Sequence, residues 1–167
     1  SRIDLSNLAT FEGGGEHQSG SYPYPWHYYT TYVQALAGGE VDLAGAFSHR
    51  NEITVDGAGS VLGVAGITQL NGTVLTVNTP GTLTFSAVTE VKDSSLTAPA
   101  DVVLAFTAAT TLQNVNLTAA EGGEILFPVA TSYMGHDSAH NTLQATGAGS
   151  RIDLSNLATF EGGGEHQ

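Results

Sequence analysis

Three features of the sequence predict an all-β fold, a right-handed parallel β-helix (solenoid) with about 21 residues per coil. Apolar segments recur every 21 residues, apolar and polar residues alternate within those segments, and no stretch has the length or period of a crossover helix. Parallel strands joined by crossovers coil right-handed. A β-sandwich is the alternative, but it offers no reason for a fixed spacing of this kind.

The first apolar column rests on four tetrads that begin 21 residues apart. In the second tetrad, Leu83 and Phe85 alternate with threonines, so both apolar side chains point to one face of a strand. Val41 and Ile3 occupy the same column upstream, and Ile152 continues it downstream. We expect this column to fill the dry centre of the solenoid. The tetrads are Val61-Leu62-Gly63-Val64, Thr82-Leu83-Thr84-Phe85, Val103-Leu104-Ala105-Phe106 and Glu124-Ile125-Leu126-Phe127.

Two further columns keep the same spacing, so each coil is predicted to have three strands. The corners between the strands are rich in Gly, Asn, Ser and Pro, which favour turns. The second column contains Leu70, Val91, Leu112 and Tyr133, and the third contains Leu75, Leu96, Leu117 and, after five extra residues, Leu143.

Residues 150–167 repeat residues 1–18 without a substitution. Because two diverging domains would not stay identical, we interpret residues 1–149 as one period of a tandem array and residues 150–167 as the start of the next. The period is predicted to hold six coils, with an aromatic loop insertion at 12–31 and a smaller insertion at 134–139 at the same corner. An artificial duplication of one end is the alternative.

The pattern resembles the β-helical repeat regions of large bacterial surface exoproteins and adhesins of the filamentous-haemagglutinin type. The motifs that carry the resemblance are Gly-Ala-Gly-Ser-Val-Leu-Gly-Val at 57–64 and Gly-Ala-Gly-Ser-Arg-Ile-Asp-Leu at 147–154. The resemblance covers nearly all of the chain outside the aromatic insertion. It implies an extracellular location on a bacterial cell surface, and a surface or fibre role rather than a chemistry.

Composition limits the partners of the chain. The formal charge is −12, with 16 acidic residues against four basic ones, which disfavours nucleic acid and anionic lipid. The chain has no cysteine, hence no disulfide and no thiolate metal site. No apolar run is long enough for membrane insertion. We therefore expect the partners to be identical repeats stacked head to tail, by self-assembly or in a covalent array.

The aromatic insertion concentrates the only Trp and most of the Tyr residues. Aromatic faces stack on sugars and also carry interface energy. Three interpretations stay open: contact between neighbouring repeats or filaments, a glycan site, or a loop folded onto its own coil. Gly13-Gly14-Gly15 is predicted to act as a hinge. The candidate contact residues are Tyr22, Tyr24, Trp26, Tyr28, Tyr29 and Tyr32.

Histidines and carboxylates also gather at this corner. Because corners of successive coils stack about 5 Å apart, they are expected to converge, and imidazoles with a carboxylate suit zinc or another divalent ion. Solvated histidines are the alternative, since the spacing matches no established metal motif. No other cofactor is expected. The candidate metal ligands are His136, Asp137, His140, Glu165 and His166.

We expect no enzyme activity. A polysaccharide-cleaving β-helix needs clustered aspartates with a basic partner, and the chain has one carboxyl pair per period, Asp4 and Asp42, backed only by Arg2. Rows of threonine such as Thr76 and Thr97 fit outward strand positions better than an ice-binding face. The sequence thus predicts a structural protein that forms a stiff, acidic, extracellular filament. The alternative is a surface adhesin that binds glycans through its aromatic loop (Tyr22–Tyr32).

Overall fold

The computed structural model describes residues 1–18, 26–136 and 139–163. Within these ranges the regular structure consists of strands, and no described segment forms a helix that could cross a membrane. Nearly all strand pairings are parallel and join consecutive coils. The predicted all-β parallel solenoid, with coils of about 21 residues, is therefore confirmed.

The strands are short, as expected for segments that end at a corner of the coil. In chain order they are β1 (Arg2–Leu5), β2 (Thr10–Glu12), β3 (Glu16–Gln18), β4 (Trp26–Tyr28), β5 (Thr31–Leu36), β6 (Glu40–Ser48), β7 (Asn51–Asp56), β8 (Val61–Asn71), β9 (Thr73–Val77), β10 (Gly81–Phe85), β11 (Glu90–Ala98), β12 (Val102–Phe106), β13 (Thr111–Ala120), β14 (Glu124–Leu126), β15 (Ser132–Met134), β16 (Leu143–Thr146), β17 (Arg151–Asp153) and β18 (Thr159–Glu161).

The strands lie in three rows along the solenoid axis. The first row contains β1, the start of β6 and of β8, then β10, β12, β14 and β17. The second contains β2, the ends of β6 and β8, the starts of β11 and β13, then β15 and β18. The third contains β5, β7, β9, the ends of β11 and β13, and β16. The antiparallel hairpin β3–β4 lies outside these rows.

The pairing register follows the spacing read from the sequence. Leu83 pairs with Leu104, and Leu104 pairs with Ile125, so successive partners keep the interval of the first apolar column. Ile3 pairs with Val41 across the larger insertion. The extra residues are therefore accommodated at a corner, and the strands on either side keep their places in the rows.

The first row departs from the expected continuity at one step. β8 and β10 belong to different sheets, although their coils stay aligned through Leu75 and Leu96 in the third row. Pro80 precedes β10 and has no N–H with which to continue a ladder. A cavity of about 230 Å³ lies here, lined among others by Leu62 and Leu83.

The interior consists of stacked apolar side chains, one layer per coil. The rings of Phe85, Phe106 and Phe127 form a column with centroids 4.4 and 4.6 Å apart and nearly parallel planes. All three side chains are buried, as is Leu104 beside them. Apolar side chains removed from water at every layer supply the main driving force for this fold.

Candidate functional sites

The duplicated segment takes the same local fold at both of its positions. We call residues 1–12 and their copy 150–161 the seam segment. In the first copy the N–H of Ser6 donates to the Asp4 carboxylate at 3.1 Å, and in the second copy the N–H of Ser155 donates to Asp153 at 3.0 Å. The turn that follows is also the same in both copies. The Leu8 N–H donates to the Leu5 carbonyl, and the Leu157 N–H donates to the Leu154 carbonyl.

The two copies contact opposite neighbours in the solenoid. In the first copy Ile3 pairs with Val41 of the following coil. In the second copy the equivalent Ile152 pairs with Ile125 of the preceding coil. The same segment therefore pairs with the following coil in its first copy and with the preceding coil in its second copy.

Aromatic rings repeat this relationship in the second row. Phe11 stacks on Phe47 of the following coil, with centroids 4.6 Å apart. Its copy Phe160 stacks on Tyr133 of the preceding coil, with centroids 4.8 Å apart. Phe160 is 58% exposed and Ile3 is 55% exposed, because each is covered on one side only.

Charged side chains on the outer face also differ between the copies. The guanidinium of Arg2 lies 2.8 Å from the Asp42 carboxylate and 3.7 Å from that of Glu40, in the following coil. The guanidinium of Arg151 lies 3.9 Å from the carboxylate of Glu124, in the preceding coil. The hydrogen bond to Asp42 and the surrounding carboxylates raise the pKa of Arg2 above its ordinary value.

Hydrogen bonds within the segment stabilise its aspartates in the ionised form. The hydroxyl and backbone N–H of Ser6 lower the pKa of Asp4, and those of Ser155 lower the pKa of Asp153. Asp4 and Asp153 therefore stay ionised to lower pH than a free aspartate does.

Sequence reasoning placed Arg2 beside Asp4 and Asp42, as the structure does, but missed the pairs between arginine and glutamate, although their signal was present. Arg2, Glu40, Glu124 and Arg151 each stand directly before an apolar residue of the first column. Reading that position down the column places each arginine beside a glutamate of the neighbouring coil. The apolar pattern identifies the column, but it does not include the charged residue that precedes each column position.

The aromatic insertion is anchored to its coil through glycine. Gly14 and Arg50 exchange backbone hydrogen bonds of 3.0 and 3.1 Å. A Cβ on Gly13 would collide with the carbonyl oxygen of Arg50, and one on Gly14 would collide with the carbonyl oxygen of Tyr29. The predicted hinge is therefore wrong for Gly13 and Gly14, since close packing against the backbone holds both in place.

The candidate aromatic residues are distributed around this anchored loop. Trp26 lies in β4, while Tyr22 and Tyr24 lie outside the described residues. Tyr28, Tyr29 and Tyr32 are 52%, 55% and 62% exposed. The Arg50 guanidinium lies over the ring of Tyr28, 4.3 Å from its centroid, which fixes that ring beside the coil.

The candidate metal ligands are only partly described. His136 and His140 line one cavity of about 440 Å³, together with Tyr133 and Phe160. Asp137, Glu165 and His166 lie outside the described residues. Across 1–18, 26–136 and 139–163, no three or more His, Asp or Glu side chains come close enough to hold a metal ion. Metal binding at this corner stays a prediction.

The corner between the second and third rows carries a polar ladder that the sequence reading also missed. The Asn114 side-chain amide donates to the Asp93 carboxylate at 2.7 Å, and that of Asn141 donates to Asn114 at 2.8 Å. Asp93 and Asn114 have positive φ, which Asn and Asp tolerate better than most residues. Asp93 and Asn114 are separated by one coil length in the sequence, and this spacing could have predicted that they are neighbours.

Comparisons of the chain with protein-family models, with curated proteins and with solved structures give no match. What the protein does must therefore be argued from the geometry of its own residues.

Proposed function

We propose that this chain is a structural protein whose identical periods stack end to end into a stiff filament. The observation that carries the proposal is the double set of contacts made by the seam segment. A seam segment that made both sets at once would join two periods without a linker.

Combining the two copies gives a consistent junction. Phe160 and Phe11 are the same residue of the proposed period. At the junction this one phenylalanine would stack on Tyr133 of the preceding coil and on Phe47 of the following coil, so that the aromatic column would continue. Apolar surface half-exposed in each copy would then be covered on both sides, and burial of this kind stabilises by about 25 cal/mol per Å². The junction would be packed like the interior of the period.

Charge complementarity points the same way. The shared arginine contacts Glu124 in one copy and Glu40 and Asp42 in the other. In a continuous stack it would lie between acidic groups of both coils. Exposed ion pairs contribute little to stability, but a correctly placed charge disfavours other registers. The arginine therefore serves to align successive periods.

The filament would gain stiffness from the backbone ladders. Six successive pairings in the second row join β2 to β18. At about 4.8 Å per layer, one period advances the axis by about 29 Å. A head-to-tail contact of this kind does not close on itself, so an open filament results. The acidic surface would keep neighbouring filaments apart.

A second candidate, a surface adhesin, is favoured by one observation. Tyr28 and Tyr29 of the insertion, and Tyr32 in the strand β5 that follows it, are each more than half exposed. A filament on a bacterial cell surface, as the resemblance to exoprotein repeats implies, would present this cluster once per period. The cluster would then bind glycans or partner proteins without altering the stacking of the coils.

The filament proposal is tested with a two-period protein, residues 1–149 followed directly by residues 1–167. We expect small-angle X-ray scattering to show one rigid rod, longer than the 167-residue chain by about 29 Å. The matched control carries a flexible Gly-Ser linker after Gly149, which uncouples the periods. If the direct fusion scatters like the linked control, as two hinged particles, end-to-end stacking is wrong.

A further inference from the structure

A polar groove of about 680 Å³ follows the corner between the second and third rows. Its walls include Arg50 and Glu52 at one end, Val74 and Asp93 in the middle and Asn114 beyond them. Backbone bonds between Asn51 and Gly72 and between Gly72 and Lys92 show that the groove crosses successive coils. From the coil of Asn51 to that of His136 it spans five coils, and the four spacings between them add up to about 19 Å. The groove therefore accommodates an extended ligand rather than a compact one.

The backbone beneath this groove is already paired. Asn51 N–H donates to the Gly72 carbonyl at 2.9 Å, and Gly72 N–H donates to the Lys92 carbonyl at 3.1 Å. A peptide that binds by strand addition needs a free sheet edge, and the N–H groups of Asn51 and Gly72 are not free to pair with one. Recognition must come from side chains, which repeat at the layer spacing.

The charges in the groove exclude polyanions. Glu16, Glu52 and Asp93 face a single arginine, Arg50. Its guanidinium is engaged over the ring of Tyr28, and the chain as a whole carries −12. Nucleic acid and acidic polysaccharides need clustered basic groups. An anionic ligand is therefore disfavoured, and a neutral or a basic ligand is compatible with these charges.

The remaining chemistry combines donors, acceptors and small apolar surfaces. The Asn71 amide can donate and accept hydrogen bonds, and the Glu52 carboxylate can accept them. Asp93 and Asn114 are already bonded in the polar ladder, and they retain one further N–H and unused oxygen lone pairs for a ligand. Val74 is 45% exposed on the wall and supplies an apolar contact. Sugar rings present hydroxyls at their edges and C–H groups on their faces, and therefore match this mixture.

We propose that the groove binds an extended neutral polysaccharide along the solenoid axis. Each sugar ring lies against the polar groups of about one coil, and Arg50 lines the end nearest the insertion. The site differs from the exposed aromatic cluster, since none of Tyr28, Tyr29 and Tyr32 lines it. The proposal does not depend on filament formation, because every groove residue lies within one period.

The test is calorimetric titration of the 167-residue chain with three neutral hexasaccharides: cellohexaose, laminarihexaose and mannohexaose. Hexagalacturonate is the acidic comparison. Val74→Lys places a long side chain without an aromatic face in the groove, beside its strand partner Glu52. Thr84→Lys makes the same kind of change at an exposed position of the first row and serves as the matched control. A double variant, Tyr29→Ala with Tyr32→Ala, probes the aromatic cluster.

We expect at least one neutral hexasaccharide to bind, with affinity reduced about tenfold or more by Val74→Lys and unchanged by Thr84→Lys and by the double tyrosine variant. Three results would each overturn the proposal. These are no binding at millimolar concentration, neutral-sugar affinity unchanged by Val74→Lys, and binding of hexagalacturonate as tight as that of the neutral sugars.

Discussion

The ring of Phe160 lies flat on the ring of Tyr133, with centroids 4.8 Å apart and planes inclined by 10°. Its copy Phe11 lies in the same way on Phe47, in the coil on the opposite side. The same residue of the duplicated segment thus packs toward the following coil in one copy and toward the preceding coil in the other. The proposed stacking of periods requires this relationship.

The cost of removing this ring should depend on whether a second period follows. In the 167-residue chain Phe160 is 58% exposed, so Phe160→Ala loses mainly one stacking contact, about 1 kcal/mol. In the two-period protein we expect the same substitution to cost about 3–5 kcal/mol, because a fully buried ring is lost. Urea unfolding of both proteins measures the difference. Equal costs in the two proteins would show that the ring is not covered.

The anchoring of the aromatic insertion can be tested at two nearby glycines. Gly13→Ala places a methyl group against the Arg50 carbonyl oxygen, whereas nothing lies within 4 Å of a Cβ on Gly15. We expect Gly13→Ala to destabilise the protein by about 1–3 kcal/mol through overpacking and to speed hydrogen exchange in β3 and β4. Gly15→Ala is the matched control and should have little effect. Similar behaviour of the two variants would argue for a loose insertion.

Tyr133 should make stability depend on alkaline pH. Its hydroxyl donates to the Val115 carbonyl at 2.9 Å, and burial raises the pKa of the phenol above its ordinary value of 10.0. The folded state therefore favours the protonated phenol. Its contribution is complete below the unfolded pKa and is lost as pH rises from about 10 through the higher folded pKa.

Tyr133→Phe removes both the hydrogen bond and this titration. We expect it to cost about 1 kcal/mol near neutral pH, and to flatten the loss of stability above pH 10. Chemical unfolding between neutral and alkaline pH checks both effects. Tyr32→Phe, at an exposed position, is the control. An unchanged pH profile in Tyr133→Phe would contradict the expectation.

The seam aspartates should make stability depend on acidic pH. Hydrogen bonds from Ser6 and Ser155 lower the folded pKa values of Asp4 and Asp153 below 3.8. Their contribution is present above the unfolded pKa and is lost as pH falls from about 3.8 through the lower folded values. We expect Ser6→Ala with Ser155→Ala to weaken this dependence slightly, since Asp4 is exposed and Asp153 is only partly buried.

Thermal midpoints measured from neutral pH to about pH 3 test this expectation. Ser86→Ala, at an exposed position outside the seam segment, controls for the loss of a surface hydroxyl. A double variant whose acid profile matches that of the unaltered chain would show that these hydrogen bonds do not hold the aspartates ionised in solution.

The strand rows were predictable from the sequence because coil spacing and side-chain alternation act locally. Leu83 and Leu104 stand at successive positions of the first apolar column and are paired neighbours in the structure. The interruption between β8 and β10 was not predictable from that column, which continues through Leu62 and Leu83. A cavity beside Leu62 and Leu83 accompanies it in the structure.

The candidate sites were less accessible to sequence reasoning. Tyr28 was correctly placed in the insertion, but its contact with Arg50 depends on how that loop returns to the coil. The triple glycine was interpreted as a hinge because glycine permits many conformations. In the structure Gly13 and Gly14 are instead positions where a side chain would collide with backbone.

By itself the sequence determined the solenoid, the three apolar columns and the identity of residues 1–18 with 150–167, since period and alternation are properties of the chain alone. Only the tertiary structure decided that Phe11 and Phe160 stack toward opposite neighbours, and that a polar groove follows one corner. Those features depend on which coil lies on each side of a residue, and identical sequences acquire different contacts when their neighbours differ.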